Sequence, residues 1–507
     1  MTVVNRYSRD AYKDSILISI IICISILIVF IQGSGQIFHW FIIPVTLCGI
    51  LIGIDAVDWL LGRLNVFDPV GILGLLGLHF FFVAPLLQVT WDVWFINATH
   101  PSDWRSWIGY WACLNFLGLL IYRIVRNWVF KSSVKTNAPT IWRLNPQYFP
   151  VILLIALVLS GLIQLLVYAK YGGVTGYINA ATDLEGRSES FAGMGLVFMF
   201  SERFPILAMI GFAVYAQRHK NLRNWRVLFI VLAVFLVLQL LFGGLRGSRS
   251  NTIWALLWAL GIIHFWLRTV NKKVIAFGLV FFLLFMYIYG FFKGAGLEGV
   301  KTALEGQEAR VTLSEETGRS WQGLILGDLA RSDIQPFLLH RLVRKESDYK
   351  YAWGRTYFSA ALSPIPKAFL PNKPVSKSKE GTEAQYGMGS YEPNVSVSSK
   401  VYGLAGEAML NFGPWAIPVS FVFLGVVVGQ IKAYLFTWHP SDSRFLLFPM
   451  LITLCFIVLV GDADNVLFFL VKDASLPYLV IVLGSSKEPM RLPERVLSTP
   501  IKYSSNL

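Results

Sequence analysis

Apolar runs long enough to cross a bilayer recur along the whole chain, and no other feature narrows its fold so far. The first, Ser15–Gln32, reads SILISIIICISILIVFIQ. A hydrocarbon core of about 30 Å takes roughly 20 helical residues per crossing. Of 507 residues, 55% are hydrophobic and 15% charged, and the mean hydropathy is +0.57. A water-soluble core of this size cannot bury that much apolar surface. The chain therefore reads as an all-α polytopic membrane protein with about twelve transmembrane helices. They begin near residues 15, 40, 69, 105, 149, 194, 226, 250, 273, 402, 443 and 463. The first run has no small-residue cleavage site and is expected to be retained as a helix. Cys23, Cys48, Cys113 and Cys455 all fall in apolar runs without metal-ligand spacing and read as buried small hydrophobes. The sequons at Asn97 and Asn394 are expected to be unmodified.

A net charge of +14 suggests nucleic acid until its distribution is considered. Basic residues cluster in alternate connections: Arg6, Arg9 and Lys13; Arg123 to Arg143; Arg218 to Arg226; Arg268 to Lys273; and Lys487 to Lys502. By the positive-inside rule these segments, and both termini, are cytoplasmic. No nucleic-acid partner is needed to explain them. The opposite connections are poor in cations, and Gly461–Asp464 is acidic. Lys472, Asp473 and Pro477 interrupt the twelfth span. A charge there costs roughly 2.5–3.5 kcal/mol on insertion scales, so either the pair faces the protein interior or the helix is broken.

This pattern divides the chain into helices one to nine (1–292), a large extracytoplasmic cap loop (293–401), helices ten to twelve (402–484) and a cytoplasmic tail (485–507). Within the cap, GDLARSDIQPFLLHRLVRK has the partial apolar spacing of a helix at Phe337, Leu338 and Leu342. LSPIPKAFLPNKP, with its prolines, is excluded from regular helix. A connection this long is functional or disordered, and its aromatics favour a folded, partly helical cap.

Arg246 and Arg249 oppose the charge trend, lying on the outer side where the eighth span begins. A helix N-terminus there offers unpaired N–H groups, Ser248 or Ser250 can cap it, and two guanidinium groups three residues apart share a face if locally helical. Gly243, Gly244 and Gly247 permit close backbone approach. These features describe an anion site, with snorkelling into lipid headgroups as the competing reading. An outward site beside lipid suits a lipid-linked diphosphate. No phosphate-loop, dinucleotide-binding, nucleophile-elbow or zinc-protease motif is present in the sequence. Glu202 and Glu407 are each expected roughly 9–12 Å below the outer surface, at 1.5 Å of rise per residue. They are either functional carboxylates or members of buried ion pairs, Arg203 being next to Glu202. Asp333 and His340 are further proton acceptors.

YGGVTGYI after the fifth span, GGLRGSRS at the start of the eighth, GRTYFSAALSPIPKAFLPNKP in the cap and SVSSKVYGLAGEAMLNFGPWAIP leading into the next span occur in that order. In these motifs, from about Ala169 to Gly429, the chain resembles bacterial oligosaccharide repeat-unit polymerases of the Wzy type. The resemblance implies a GT-C-like glycosyltransferase of the bacterial inner membrane with an active site facing the periplasm or exterior. Such enzymes build O-antigen and exopolysaccharide by moving a glycan from undecaprenyl diphosphate to a lipid-linked repeat unit. It implies no cofactor and no metal. Its partners would be the lipid-linked donor and acceptor, membrane lipids, and a chain-length regulator and flippase. Arg246 and Arg249 match the arginine-bearing span start and would hold the diphosphate, with Arg331, Arg341 and Arg355 of the cap. Asp333, His340 or Glu407, in that order, would take the acceptor proton. Tyr357, Tyr386 and Tyr391 would stack on sugar rings or simply pack the cap. A ligase of similar architecture and a transporter or flippase of lipid-linked oligosaccharides are the alternatives. Transport is suggested by Lys472, Asp473 and Pro477, although no internal repeat is visible.

Overall fold

The computed structural model describes residues 9–96, 100–136, 140–182, 190–191, 193–246, 249–317, 320–346, 348–365, 369–374, 377–392 and 400–489. Asn97 and Asn394, and Arg6, Arg491, Arg495 and Lys502 of the basic ends, lie outside these residues. The chain is all-α and membrane-embedded in character. Among the described residues, 10 helices are long and apolar enough to cross a membrane. Two more, Asn251–Leu267 and Phe448–Val460, are apolar but shorter. At 1.5 Å per residue the 13-residue Phe448–Val460 helix reaches about 20 Å, short of a hydrocarbon core. The long helix expected from about residue 402 begins instead at Ala416. Gly403–Phe412 is a separate helix, ended by Gly413 at φ +85° and followed by Pro414. Glu407 thus lies on a short helix before the span, not inside it. The helix from Lys272 likewise runs past the expected boundary at 292 to Glu305, kinked at Ala295 and Gly296, where φ is +63°.

The chain forms two compact units. The first comprises Met1–Asn137, Ile325–Phe436 and Leu454–Phe468. Here the Ile42–Leu60 and Pro69–Trp91 helices approach closely because small residues line their contact: a Cβ on Gly74 would sit 2.6 Å from the Ala56 backbone nitrogen. The Trp104–Thr136 and Ala416–Thr437 helices use the same device, Gly118 receiving the Phe421 ring and Gly429 the Arg126 carbonyl. Buried charge accompanies this packing. The Arg126 guanidinium donates to Asp55 at 2.6 Å and to the Tyr122 hydroxyl at 3.2 Å, and Arg123 stands 3.5 Å from Asp55. The expected cap helix is present as Ile334–Arg344, with Phe337, Leu338 and Leu342 buried.

The second unit comprises Ala138–Leu324, Thr437–Thr453 and Phe469–Leu507. Its described long helices are Tyr148–Lys170, Gly195–Ala216, Trp225–Phe242 and Lys272–Glu305, with Asn251–Leu267 beside them. Strands Thr140–Leu144 and Ser485–Pro489 pair antiparallel, and Asp442 accepts from the Trp142 amide and the Arg444 guanidinium beneath them. Exposed Leu154, Leu165, Leu166 and Ile230 mark faces suited to lipid. Cys23, Cys48 and Cys455 are buried as expected, but Cys113 is exposed on an apolar helix.

Removing the carboxylate strands both guanidinium groups that share it. Asp55→Leu should therefore cost about 3–5 kcal/mol. The triple variant Asp55→Leu/Arg123→Met/Arg126→Met should recover most of the loss, read as thermal unfolding in detergent micelles.

Candidate functional site

The Gly195–Ala216 helix breaks at Glu202 and Arg203, where Pro205 opens its second segment. The break turns two adjacent charges into the unit. Lys472 and Asp473 arrive side by side on a wider π-helical turn, Phe469–Ala474. This resolves their awkward place in the sequence: the helix continues to Leu483, and both side chains face protein. Glu202 is fully buried and collects the charges. One carboxylate oxygen lies 2.8 Å from an Arg246 guanidinium nitrogen, and the other takes the Lys472 ammonium. Arg203 reaches Glu202 at 3.6 Å and Asp473 at 2.8 Å, and the Asn251 amide donates to Glu202 at 3.4 Å. Gly243 makes room, because a Cβ there would meet the Glu202 side chain at 3.2 Å. The Arg246 guanidinium lies 4.1 Å over the Phe198 ring. Among the described residues, three cations thus face two carboxylates.

Arg246 closes a short 3₁₀ turn, Gly244–Arg246, and Arg249 opens the following helix. Gly247 and Ser248 lie outside the described residues, as does the Ser250 side chain. Arg246 therefore does not lie in the helix that Arg249 begins, and its described carboxylate partner is Glu202. Pairing of Glu202 was one of the two sequence readings, but its partners extend well beyond the adjacent Arg203.

The cap candidates fall in the first unit and scatter over several small networks. Asp333 is buried and caps the Ile334–Arg344 helix, accepting from the Ile334 amide at 2.6 Å. Burial raises its carboxyl above the ordinary range, opposed by Lys400. Arg331 donates to the carbonyls of Gly327, Asp328, Ala330 and Val460 and so closes the preceding helical turn. His340 lies against the Trp107 ring and, with Arg341, faces Glu346. It lines a cavity of about 380 Å³ with Trp107, Tyr110 and Arg344. Burial pulls the imidazole below its ordinary value, Glu346 opposes that, and Arg341 adds to the lowering.

Arg355 forms a fork with Glu380 at 2.9 and 3.1 Å, and the Tyr349 hydroxyl donates to the same carboxylate at 2.8 Å. Tyr357 stacks on Phe412, its phenol raised by burial. Tyr386 is exposed and Tyr391 half-buried. Glu407 accepts from the Thr356 hydroxyl at 2.7 Å and the Ala463 amide at 2.6 Å. Near it lies Asp462, fully buried, which accepts from the Tyr402 and Gly403 amides and from Lys377. Burial first, and then the Asp462 charge, raises the Glu407 carboxyl above the ordinary range. Sequence reasoning saw Asp462 only as part of an acidic turn and did not single out Lys377 or Glu380. Their partners lie 85 and 25 residues away, beyond any local spacing rule.

No family model, curated protein or solved structure matches the chain.

Glu202→Ala should leave the buried Arg203 and Lys472 and the half-buried Arg246 without their central carboxylate and cost about 3–5 kcal/mol. Glu202→Gln/Lys472→Met removes one charge of each sign and should cost clearly less in the same melting assay. Glu407 supplies a pH test. Its raised carboxyl keeps a proton that the unfolded chain has lost. That contribution to stability is complete below the unfolded glutamate value of about 4.3 and drains away as the pH rises through the folded one. Stability should fall with rising pH in this window, and Glu407→Gln should flatten the slope.

Proposed function

We propose that the chain is a polysaccharide polymerase of the bacterial inner membrane, with its active site toward the periplasm or exterior. It would transfer a growing glycan from undecaprenyl diphosphate to a lipid-linked repeat unit. The observation that carries this reading is the convergence of three cations, Arg203, Arg246 and Lys472, on Glu202 and Asp473. Such a network, among apolar helices, favours an anion that can leave with its charge neutralised. The ordered motifs that resemble those of repeat-unit polymerases support the same reading, and the distribution of basic loops supports the sidedness.

In this mechanism the acceptor hydroxyl oxygen attacks the anomeric carbon of the donor. The new glycosidic bond forms as the bond to the diphosphate oxygen breaks, and the hydroxyl proton passes to a protein base. Arg246 and Arg249 would hold the leaving diphosphate. Among the candidate bases His340 has the most open access, since it lines a cavity, whereas Asp333 and Glu407 are buried against backbone donors. The aromatic walls of that cavity suit a sugar ring, as would Tyr357, Tyr386 and Tyr391. A ligase of similar architecture would use the same chemistry on a different acceptor.

A second reading, movement of the lipid-linked glycan across the membrane, is favoured by one observation. Lys472 and Asp473 sit on a π-helical turn, buried against Glu202 and Arg203. Elongation of short glycans in vesicles without any gradient separates polymerase from flippase.

Arg246→Ala should lower elongation on the order of a hundred- to a thousandfold while the chain still inserts. Arg246→Lys keeps an ion pair with Glu202 but not the guanidinium fork. Recovery of full elongation by that variant would assign Arg246 a purely structural role and overturn the diphosphate assignment. EDTA should leave elongation intact.

A further inference from the structure

Two short segments of the second unit, 217–226 and 264–273, carry seven arginines and lysines and no carboxylate. Loop charge of this kind orients a membrane protein without needing any particular shape. Here part of it has a shape. Lys220, Arg223 and Arg268 converge on one cavity of about 600 Å³, completed by Asn221, Asn224 and Leu267. Two bonds hold its walls: the Arg223 side chain donates to the Ala216 carbonyl at 3.2 Å, and Arg268 to the Arg223 carbonyl at 3.5 Å. Each bond engages one of the five N–H donors of a guanidinium.

The position of the cavity narrows its occupant. It lies at the C-terminal ends of the Gly195–Ala216 and Asn251–Leu267 helices and at the start of Trp225–Phe242. Ends of apolar helices lie at headgroup depth. Trp225, under the Arg268 guanidinium at 5.4 Å, and exposed Tyr215, whose ring lies tilted against His219 at 4.5 Å, are aromatic residues of the kind that settle at this boundary. One turn along the same helix, Phe229 and Ile230 are exposed and offer an apolar track leading from the cavity. Three cations, two amides and an adjoining apolar track match a phosphodiester carrying acyl chains better than a small soluble anion.

We propose that this cavity binds the phosphate headgroup of an anionic phospholipid. The site is independent of the proposed transferase reaction and shares no residue with it.

The test uses the full chain, purified in detergent and stripped of lipid, and compares melting temperature and binding with phosphatidylglycerol, phosphatidylcholine and inorganic phosphate. Phosphatidylglycerol should raise the melting temperature, and phosphatidylcholine and inorganic phosphate should not. Lys220→Gln/Arg223→Gln/Arg268→Gln should weaken phosphatidylglycerol binding on the order of a hundredfold, from about one kcal/mol per cation near an anionic surface. A charge-matched control, Arg218→Gln/Arg226→Gln/Lys273→Gln, alters cations that do not line the cavity and should keep the shift. Equal loss in both variants would mean diffuse loop electrostatics and would overturn the proposal. So would an equal shift with inorganic phosphate, which would mark a free-anion site, or no shift with phosphatidylglycerol in the unmodified chain.

Discussion

A full charge among apolar helices persists only where an opposite charge is delivered to it, because neither lipid nor side-chain hydrocarbon can solvate it. Glu202 imposes that requirement on the second unit. Arg203 is adjacent in sequence but divides its guanidinium between Glu202 and Asp473. The remaining compensation must come from other elements: Lys472 from a π-helical turn and Arg246 from the turn before the next helix. The helix break at Pro205, the π-helical turn and the glycine at 243 follow from that one need. Each admits a charged group where a regular, Cβ-bearing helix would have excluded it.

The first unit meets the same requirement with different chemistry. Asp55 is satisfied by two arginines of one neighbouring helix, and Gly74 lets the helix on its other side close in. Asp462 instead spends its oxygens on backbone amides at the start of the Gly403–Phe412 helix and on Lys377. Its lone pairs are thus used to tie three chain segments together. Glu407 beside it has, among the described residues, two neutral donors, the Thr356 hydroxyl and the Ala463 amide, and faces the Asp462 charge. Burial raises both carboxyls above the ordinary range, with the Lys377 ammonium opposing the shift at Asp462.

Much of the fold was legible because its signals are local. Apolar runs mark the helices within a few residues, and Phe337, Leu338 and Leu342 disclosed the Ile334–Arg344 helix through their spacing. Hydropathy alone did not separate Gly403–Phe412 from the span after it. Both are largely apolar, and the division rests on the backbone at Gly413. Candidate residues fared unevenly for a related reason. Arg246 stood out by opposing the charge trend, a property of sequence. Its partner Glu202 was singled out separately, and no spacing rule joined the two across 44 residues. Arg331 looked equivalent to Arg355 in sequence, yet one closes a helical turn through carbonyls and the other forks onto a carboxylate.

Composition and periodicity by themselves determined that the chain is a bundle of apolar helices and where most of these begin, because burial in lipid is paid for residue by residue along each segment. They also isolated the charges that do not belong in such a bundle. Only the tertiary structure decided which of those charges meet, since a guanidinium and a carboxylate interact through a few ångströms of space whatever their separation in the chain. It decided likewise that Lys472 and Asp473 face protein within a continuous helix and that three of the loop cations line one cavity.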